Sequence, residues 1–206
     1  MICESLESIL TDIRACNVCQ THPRGKPLPH EPRPVVRAAT SARIAICGQA
    51  PGRRVHESGI PFSDASGDRL RSWLGVTPDE FYDVTQVAII PMGFCFPGYD
   101  STGADLPPRG ECAPLWRARL FAHLPQLELL VLVGRHAIGW HVPALKRKSV
   151  THAVASWHDI SNRPGLPAAF PLPHPSWRNT GWLKANPWFE ADVLPVLKQR
   201  IEKLIR

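Results

Sequence analysis

The stretch that decides the fold is Ile44-Ala45-Ile46-Cys47-Gly48-Gln49-Ala50-Pro51-Gly52, in which an apolar run passes directly into a loop of small and polar residues. The apolar run predicts a buried strand over residues 43–47 that ends where this loop begins. A second, shorter apolar run, Ala168-Ala169-Phe170, precedes His174-Pro175-Ser176. Ligands bind at the carboxyl ends of the strands in a parallel α/β sheet. The two loops are therefore predicted to form opposite sides of one cleft, with a histidine facing a backbone-lined loop.

Helical and strand patterns alternate along the rest of the chain. This alternation predicts a single-domain α/β fold over residues 1–206, a three-layer sandwich with a mainly parallel central sheet of about four strands and helices on both faces. Residues 48–67 and 91–110 are rich in glycine and proline and are predicted to be irregular. The further predicted elements are helices over 4–15, 68–74, 112–123, 134–140 and 187–205, the last kinked by Pro195, and strands over 84–90, 129–133 and 168–170.

The composition limits the classes of function. The 206 residues carry a formal net charge of +6, and 44% of them are hydrophobic. A basic balance of this size favours a polyanionic partner. No apolar stretch approaches the roughly 20 residues of a membrane span, and the first residues show no signal-peptide pattern. We therefore expect a cytoplasmic protein without a membrane partner, whose six cysteines are reduced thiols or metal ligands.

Four of the cysteines form a possible ligand set. Cys16 and Cys19 share one turn as a C-x2-C pair, and Cys95 and Cys112 flank a distant irregular segment. Four thiolates suit zinc or an iron–sulfur cluster equally by number, and four unrelated buried thiols are the alternative. Two cysteines are left out of the set: Cys3 near the N-terminus and Cys47 at the end of a buried strand.

In combination these segments resemble the uracil-DNA glycosylase superfamily. Gly48–Gly52, then Gly59-Ile60-Pro61-Phe62 and Ala65-Ser66-Gly67, are similar to the first motif of its iron–sulfur branch, the family-four enzymes. His174-Pro175-Ser176 matches the second motif of the superfamily, and its continuation Trp177-Arg178-Asn179 resembles that of the single-strand-selective branch. The four cysteines fall in the order, and near the spacing, of the cluster ligands of family four.

The resemblance implies an activity and a cofactor. The enzyme would hydrolyse the N-glycosidic bond of uracil in DNA and leave an abasic site, as in base excision repair. The partner would be uracil-containing DNA. A 4Fe–4S cluster would be held by Cys16, Cys19, Cys95 and Cys112. The sequence leaves the oligomeric state open, and a monomer suits a protein that scans DNA.

The resemblance also implies roles for single residues. Phe62 would stack on the extruded pyrimidine, and the backbone N–H groups of Gln49 and Ala50 would bond to its edge. His174 would stabilise the negative charge on the departing base. Ser176 and Arg178 would contact DNA, and Arg178 stands where the superfamily has its wedge side chain.

The sequence departs from the family pattern at the water-activating position. The best-known branch has an aspartate where Ala50 stands, and a methyl group cannot orient water. His56 and Glu57 lie in the same loop, so we expect one of them to orient the attacking water, with His56 favoured by alignment. A dissociative reaction needs little base strength, so the missing aspartate does not exclude the chemistry.

A second departure concerns recognition of the base. Family four has an asparagine just before the third cluster cysteine, whereas this chain reads Pro91-Met92-Gly93-Phe94-Cys95. Backbone groups near Met92 and Gly93 are expected to replace the missing amide side chain.

Two other functions remain open from the sequence. A member of the same fold with diverted catalysis would bind uracil-containing or damaged DNA, for example through a covalent adduct on His56. A zinc-stapled α/β protein that acts on nucleotides would use the same four cysteines for a different metal.

Overall fold

Four short apolar segments form one parallel sheet. The computed structural model describes residues 4–162 and 167–205, so Cys3 lies outside the described residues. The strands are β1 (Ile44–Cys47), β2 (Val87–Ile89), β3 (Leu129–Val133) and β4 (Ala168–Leu172). They lie in the order β2-β1-β3-β4, and every neighbouring pair is parallel.

Alternate residues of each strand face two separate apolar layers. In β1, Ala45 and Cys47 pack into one layer, whereas Ile44 and Ile46 pack into the other. Each strand is apolar almost throughout because helices cover both faces of the sheet. The predicted α/β sandwich with a parallel central sheet is therefore confirmed.

The helices that cover the sheet are distributed over both faces. One face is covered mainly by α1 (Leu6–Arg14), α6 (Cys112–Phe121) and α7 (Arg135–His141). The other face is covered mainly by α4 (Ala65–Leu74), α5 (Pro78–Tyr82) and α11 (Leu194–Ile205). None of the helices in the described part of the chain is both long and apolar enough to cross a membrane. In chain order they are α1 (Leu6–Arg14), α2 (Val18–Thr21), α3 (Arg53–Ser58), α4 (Ala65–Leu74), α5 (Pro78–Tyr82), α6 (Cys112–Phe121), α7 (Arg135–His141), α8 (Val150–Ala155), α9 (Trp157–Ser161), α10 (Thr180–Ala185) and α11 (Leu194–Ile205).

Several boundaries differ from those predicted. The segment 48–67, predicted to be irregular, contains α3 and the start of α4. The strand predicted over 84–90 is shortened to β2 because the Asp83 carboxylate accepts hydrogen bonds from the Thr85 backbone and the Gln86 side chain, which closes a turn. Helices α5, α8, α9 and α10 are short and carry too few apolar repeats for the periodicity to predict them.

The closing helix contains a wider turn just before Pro195. Residues Phe189–Val193 form a π-helical turn, and α11 begins at Leu194. Pro195 is thus the second residue of the α-helix proper, where a missing backbone N–H is tolerated.

The loop before α4 is fixed by a close backbone contact. Phe62 has a φ of 54°, and among the described residues it is the one non-glycine residue with a positive φ. A Cβ atom on Gly67 would overlap the carbonyl oxygen of Phe62. That oxygen also accepts hydrogen bonds from Arg71 Nη1 at 3.1 Å and from the Tyr82 hydroxyl at 3.2 Å. Only glycine at position 67 lets the helix approach Phe62 so closely.

We expect Gly67→Ala to destabilise the fold, because the added methyl group must displace the backbone of Phe62. The loss in the free energy of unfolding should be about 1–3 kcal/mol or more, as for other overpacked sites. Chemical denaturation measures this change. Gly181→Ala in α10 is the matched control, because a Cβ atom there meets no atom within 4 Å. Equal stability of the two variants would contradict the close contact.

Candidate functional site

A cleft opens at the carboxyl end of the sheet. It encloses about 590 Å³, part of it open to solvent. The loops that follow β1, β2 and β4 all contribute to its wall, as expected for a parallel α/β sheet. Phe62 and His174 both line it, so the structure brings the two sequence motifs together. The other lining residues are Val35, Gly48, Gln49, Ala50, Pro51, Gly52, Val55, Pro61, Asp64, Ser66, Ile89, Pro91 and Asp105.

The loop after β1 presents free donors to this cleft. The carbonyl oxygens of Gly48 and Gln49 accept hydrogen bonds from the backbone N–H groups of Met92 at 2.9 Å and Gly93 at 3.0 Å. The backbone N–H groups of Gln49 and Ala50 have no acceptor in the described part of the chain. Both residues are partly exposed and line the cleft, so these two donors are open to solvent or to a ligand.

Met92 and Gly93 do not take the place predicted for them. Their N–H groups are already bonded to the loop after β1, and neither residue lines the cleft. Met92 is buried in the core, and Gly93 faces the cavity of the cysteines described below. It is Pro91, just before them, that lines the cleft. Their role is thus to hold the loop rather than to read a base edge through their N–H groups.

The Phe62 ring lies against Gly48. A Cβ atom on Gly48 would lie 3.2 Å from Cζ of Phe62, closer than most real contacts of that kind. On another side the ring meets Phe81 edge to face, with centroids 6.0 Å apart. The ring is therefore held in place by packing and can serve as a fixed stacking platform for a planar ligand.

His174 has a defined tautomer. Its Nδ1 accepts a hydrogen bond from the Ser176 backbone N–H at 3.3 Å, and its carbonyl oxygen accepts one from Asn179 Nδ2 at 2.7 Å. A neutral imidazole with Nδ1 as acceptor carries its proton on Nε2. The side chain therefore offers an Nε2–H donor to the cleft.

The electrostatic surroundings keep this imidazole neutral. Burial lowers the pKa of His174, and the nearby Asp64 carboxylate opposes this shift only in part. A neutral donor can stabilise an anion without being a strong acid itself. The site thus holds a neutral histidine beside two free backbone donors.

His56 does not line the cleft. It lies on α3 with its ring 4.3 Å from that of His30 and 6.1 Å from that of Phe96. Its Nδ1 is buried and has no hydrogen-bond partner in the described residues. Burial, followed by the positive field of His30 and Arg33, lowers the pKa of His56. His56 thus packs with His30 and Phe96 in an aromatic cluster. Val55, its neighbour on the same helix, lines the cleft instead.

Glu57 lies on the outer side of the same helix. It is exposed and forms an ion pair with Arg53 at 2.8 Å. The structure therefore does not bring either predicted water-orienting residue to the cleft that holds Phe62 and His174.

Two carboxylates that the sequence analysis missed do line the cleft. Asp64 is the N-cap of α4 and accepts hydrogen bonds from the N–H groups of Ser66 and Gly67. Asp105 belongs to the irregular segment before α6. The Asp64 position shows an N-cap signal in the sequence, whereas Asp105 lies in a segment with no periodicity and could not have been singled out.

A wider groove continues outward from the cleft. It shares Gln49, Ala50, Asp64, Ser66, Asp105 and His174 with the cleft. The three arginines along it are Arg54, Arg69 and Arg178, and Ser176 also lines it. Trp177 is 76% exposed beside them, and the Arg178 guanidinium lies 5.9 Å from the centre of its indole. An exposed aromatic residue among arginines suits a nucleic-acid strand.

The four predicted ligand cysteines line a single cavity. Cys16 and Cys19 come from the turn around the start of α2, Cys95 from the loop after β2, and Cys112 is the first residue of α6. The cavity spans about 410 Å³, part of it open to solvent. Cys47 lies elsewhere, buried in the core beside Arg117.

The buried thiols of this cavity stay protonated unless a positive group lies beside them. Burial raises the pKa of Cys95 and of Cys112 to about 12, so an opposing positive group is needed to deprotonate them. The Phe94 N–H donates to Cys112 Sγ at 3.4 Å. Three or more His, Cys, Asp or Glu side chains within the reach of one metal ion do not occur in the described residues.

The sequence matches the family model for "Uracil DNA glycosylase superfamily" over residues 34–198 of the 206. The match includes both loops of the cleft, Asp105, Cys95 and Cys112. It begins after Cys16 and Cys19, so the first two cysteines of the cavity lie outside the matched range.

We expect the His174 imidazole to titrate below its ordinary pKa of 6.5, because burial disfavours its charged form. Asp64→Asn should lower this pKa further, since it removes the carboxylate that stabilises the imidazolium and leaves a side chain that still caps a helix. Heteronuclear NMR of the ring nitrogens measures both the midpoint and the tautomer. Asp68→Asn removes an exposed charge from the same helix as a control. A midpoint above 6.5, or a proton on Nδ1, would contradict this description.

Proposed function

This chain belongs to the uracil DNA glycosylase superfamily, and from that premise we propose that it hydrolyses the N-glycosidic bond of uracil in DNA and leaves an abasic site. The observation that carries the proposal is the shared cleft of Phe62 and His174, next to two backbone donors without acceptors. A planar ring, a neutral imidazole donor and free N–H groups are what a small base with carbonyl oxygens requires.

In this proposal the extruded base enters the cleft beside Phe62. The aromatic ring stacks on the face of the pyrimidine, and the N–H groups of Gln49 and Ala50 donate to its carbonyl oxygens. Pro91 and Ile89 supply apolar contacts at the wall of the cleft. Without an amide side chain at the position used by family four, base selection rests on the backbone and on shape.

The departing base needs stabilisation as an anion. When the bond between C1′ and the base breaks, the electron pair leaves with the base and negative charge spreads to its carbonyl oxygens. The Nε2–H group of His174 can donate to such an oxygen, and a donor already in place gives its full effect in a water-poor site. The imidazole remains neutral, so it stabilises the anion without transferring its proton first.

The groove outside the cleft is proposed to hold the DNA strand. Arg54, Arg69 and Arg178 offer positive charge to phosphates, and Ser176 can donate to a phosphate oxygen. Trp177 is the exposed aromatic residue closest in sequence to the second motif. Trp177 can fill the space that the extruded nucleotide leaves. This makes Trp177 a better wedge than Arg178, whose guanidinium lies beside the indole ring.

We also propose a cytoplasmic location, which suits a protein with reduced cysteines.

The first test is release of uracil from a single-stranded oligonucleotide, followed by alkali cleavage of the abasic site. His174→Ala should slow the single-turnover rate by about 10²–10³-fold, the loss that follows removal of one donor to an oxyanion. Binding of an oligonucleotide with a non-cleavable 2′-fluorinated uridine should weaken much less. His158→Ala, which removes an exposed histidine of α9, is the control.

Two results would count against this proposal. Absence of strand scission at any concentration of the wild-type protein would remove the catalytic function and favour a DNA-binding member of the fold. Equal losses of rate and binding in His174→Ala would show that this histidine contributes to affinity rather than to stabilisation of the anion. A denaturation-resistant protein–DNA band would support the covalent alternative, although the position of His56 outside the cleft gives that alternative no structural support.

We further propose that Cys16, Cys19, Cys95 and Cys112 hold a 4Fe–4S cluster. One cavity lined by four thiols from three segments, with a backbone donor to Cys112 Sγ, suits such a cluster. When bound, it would join the N-terminal segment to the loop after β2 and to the start of α6. Its role in this proposal is structural.

The protein purified without oxygen should contain iron and labile sulfide, and Cys95→Ala should lose both because the cluster loses one of its four ligands. Elemental analysis and visible absorption measure the content. Cys47→Ser is the matched control, since Cys47 lies outside the cavity and serine can still accept the hydrogen bond from Arg117. Zinc without iron would support the zinc-stapled alternative, and retention of iron in Cys95→Ala would remove this residue from the ligand set.

A further inference from the structure

Asp105 is held at the junction of the cleft and the outer groove. It lines both spaces. Its carboxylate lies close to Gly52 at the end of the loop after β1, since a Cβ atom on Gly52 would lie 3.7 Å from Asp105 Oδ2. The side chain is thus near the residues that are proposed to hold the base.

The backbone around Asp105 is fixed by short-range pairing. Asp105 forms an antiparallel bridge with Tyr99, and hydrogen bonds join Leu106 N to Gly98 O at 2.9 Å and Asp100 N to Ala104 O at 2.8 Å. The Gln49 side chain also donates to the Leu106 carbonyl, at 3.4 Å. This small hairpin places the carboxylate and connects it to the loop of the first motif.

The carboxylate of Asp105 is free of hydrogen bonds in the described part of the chain. Asp64, the other acid of the cleft, accepts from two backbone N–H groups and from the Ser66 hydroxyl. Asp100 in the same hairpin accepts from Thr102 and Ala104. These bonds all end on Oδ1 of Asp64 and of Asp100, which holds each of those carboxylates in a turn, whereas both carboxylate oxygens of Asp105 are available to water.

The charged surroundings of Asp105 come from three elements. Burial raises the pKa of Asp105, the Arg178 guanidinium lowers it, and the Asp64 carboxylate raises it. The other titratable side chains of the same cleft and groove are His174, Arg54, Arg69 and Tyr99. Burial is the largest of these effects, so the pKa of Asp105 lies above the ordinary value of an aspartate.

We propose that Asp105 is the catalytic carboxylate that orients the attacking water and faces the positive charge on the sugar. This inference rests on the proposed function. Asp105 takes the water-orienting role of the aspartate that the best-known branch has at the position of Ala50. It also replaces His56 and Glu57 in that role, because neither of them lines the cleft.

The step balances without a further reactant. The bond between C1′ and the base breaks, and its electron pair leaves with the base beside His174. A water molecule held by Asp105 forms a new C1′–O bond and gives a proton to the carboxylate as it does so. The carboxylate passes this proton to solvent, and the base anion takes one up. The products are the free base and an abasic deoxyribose.

The experiment compares Asp105→Asn, Asp105→Ala and Asp105→Glu under single-turnover conditions with a uracil-containing single strand. Asp105→Asn should lower the rate by about 10²-fold, near the lower end of the range for a general base. Its binding to the non-cleavable analogue should be unchanged or tighter, because a negative charge near DNA is lost. Asp105→Glu, which keeps the charge, should retain more activity than Asp105→Asn.

Chemical rescue separates catalysis from a structural role. Formate can occupy the space vacated in Asp105→Ala and orient water, so added formate should restore part of the lost rate in that variant and not in the His174→Ala variant. Asp159→Asn, which removes a carboxylate that is 92% exposed on α9, is the matched control for loss of one negative charge.

The outcomes distinguish this inference from the function on which it rests. An inactive wild-type protein would defeat the proposed function itself. An active wild type with Asp105→Asn within threefold of its rate would overturn the role of Asp105 and leave the function intact. A lowered rate in Asp105→Ala without any rescue by formate, together with a matching loss of DNA binding, would also overturn it, since both point to a structural role.

Discussion

The contact between the Phe62 carbonyl and Gly67 is the constraint on which the cleft depends. One oxygen atom meets the first turn of α4, the guanidinium of Arg71 and the hydroxyl of Tyr82. To reach all three, Phe62 adopts a left-handed backbone conformation that other side chains of the described chain avoid. Such strain persists only where the surroundings over-determine it. Its result is an aromatic ring fixed over Gly48, at the end of β1.

The hydrogen-bond donors of the cleft are neutral groups, and two carboxylates, Asp64 and Asp105, line it beside them. The N–H groups of Gln49 and Ala50, without acceptors in the described residues, and the neutral imidazole of His174 are fixed dipoles, which need no reorganisation to stabilise a small anion. The full positive charges lie farther out, in the groove, on Arg54, Arg69 and Arg178. In the proposed function, the arginines of the groove attract the polyanion and the donors of the cleft stabilise the small anion. The two tasks thus fall to different parts of one continuous surface.

The sequence predicted the sheet and the meeting of Phe62 with His174, because strand periodicity and motif order reflect the same parallel topology. The prediction of an irregular segment after Gly52 is wrong, because residues 53–58 form α3. There α3 turns successive residues by about 100°, so Val55 faces the cleft while His56 and Glu57 point elsewhere. Asp105 could not be found for a different reason. Its position depends on a hairpin within a proline-rich segment, where no periodic pattern marks which side chain points inward.

Residues 90–93 connect the cysteine cavity to the cleft. Gly93 lines the cavity, while its N–H group bonds to the Gln49 carbonyl at the cleft. On the opposite side, buried Arg117 of α6, the helix that Cys112 begins, donates to the carbonyl oxygens of Ile90 and Pro91. Residues 90–93 are therefore held from both the cavity side and the core. A movement of Gly93 would therefore be passed through this hydrogen bond to Gln49 and to the loop that lines the cleft.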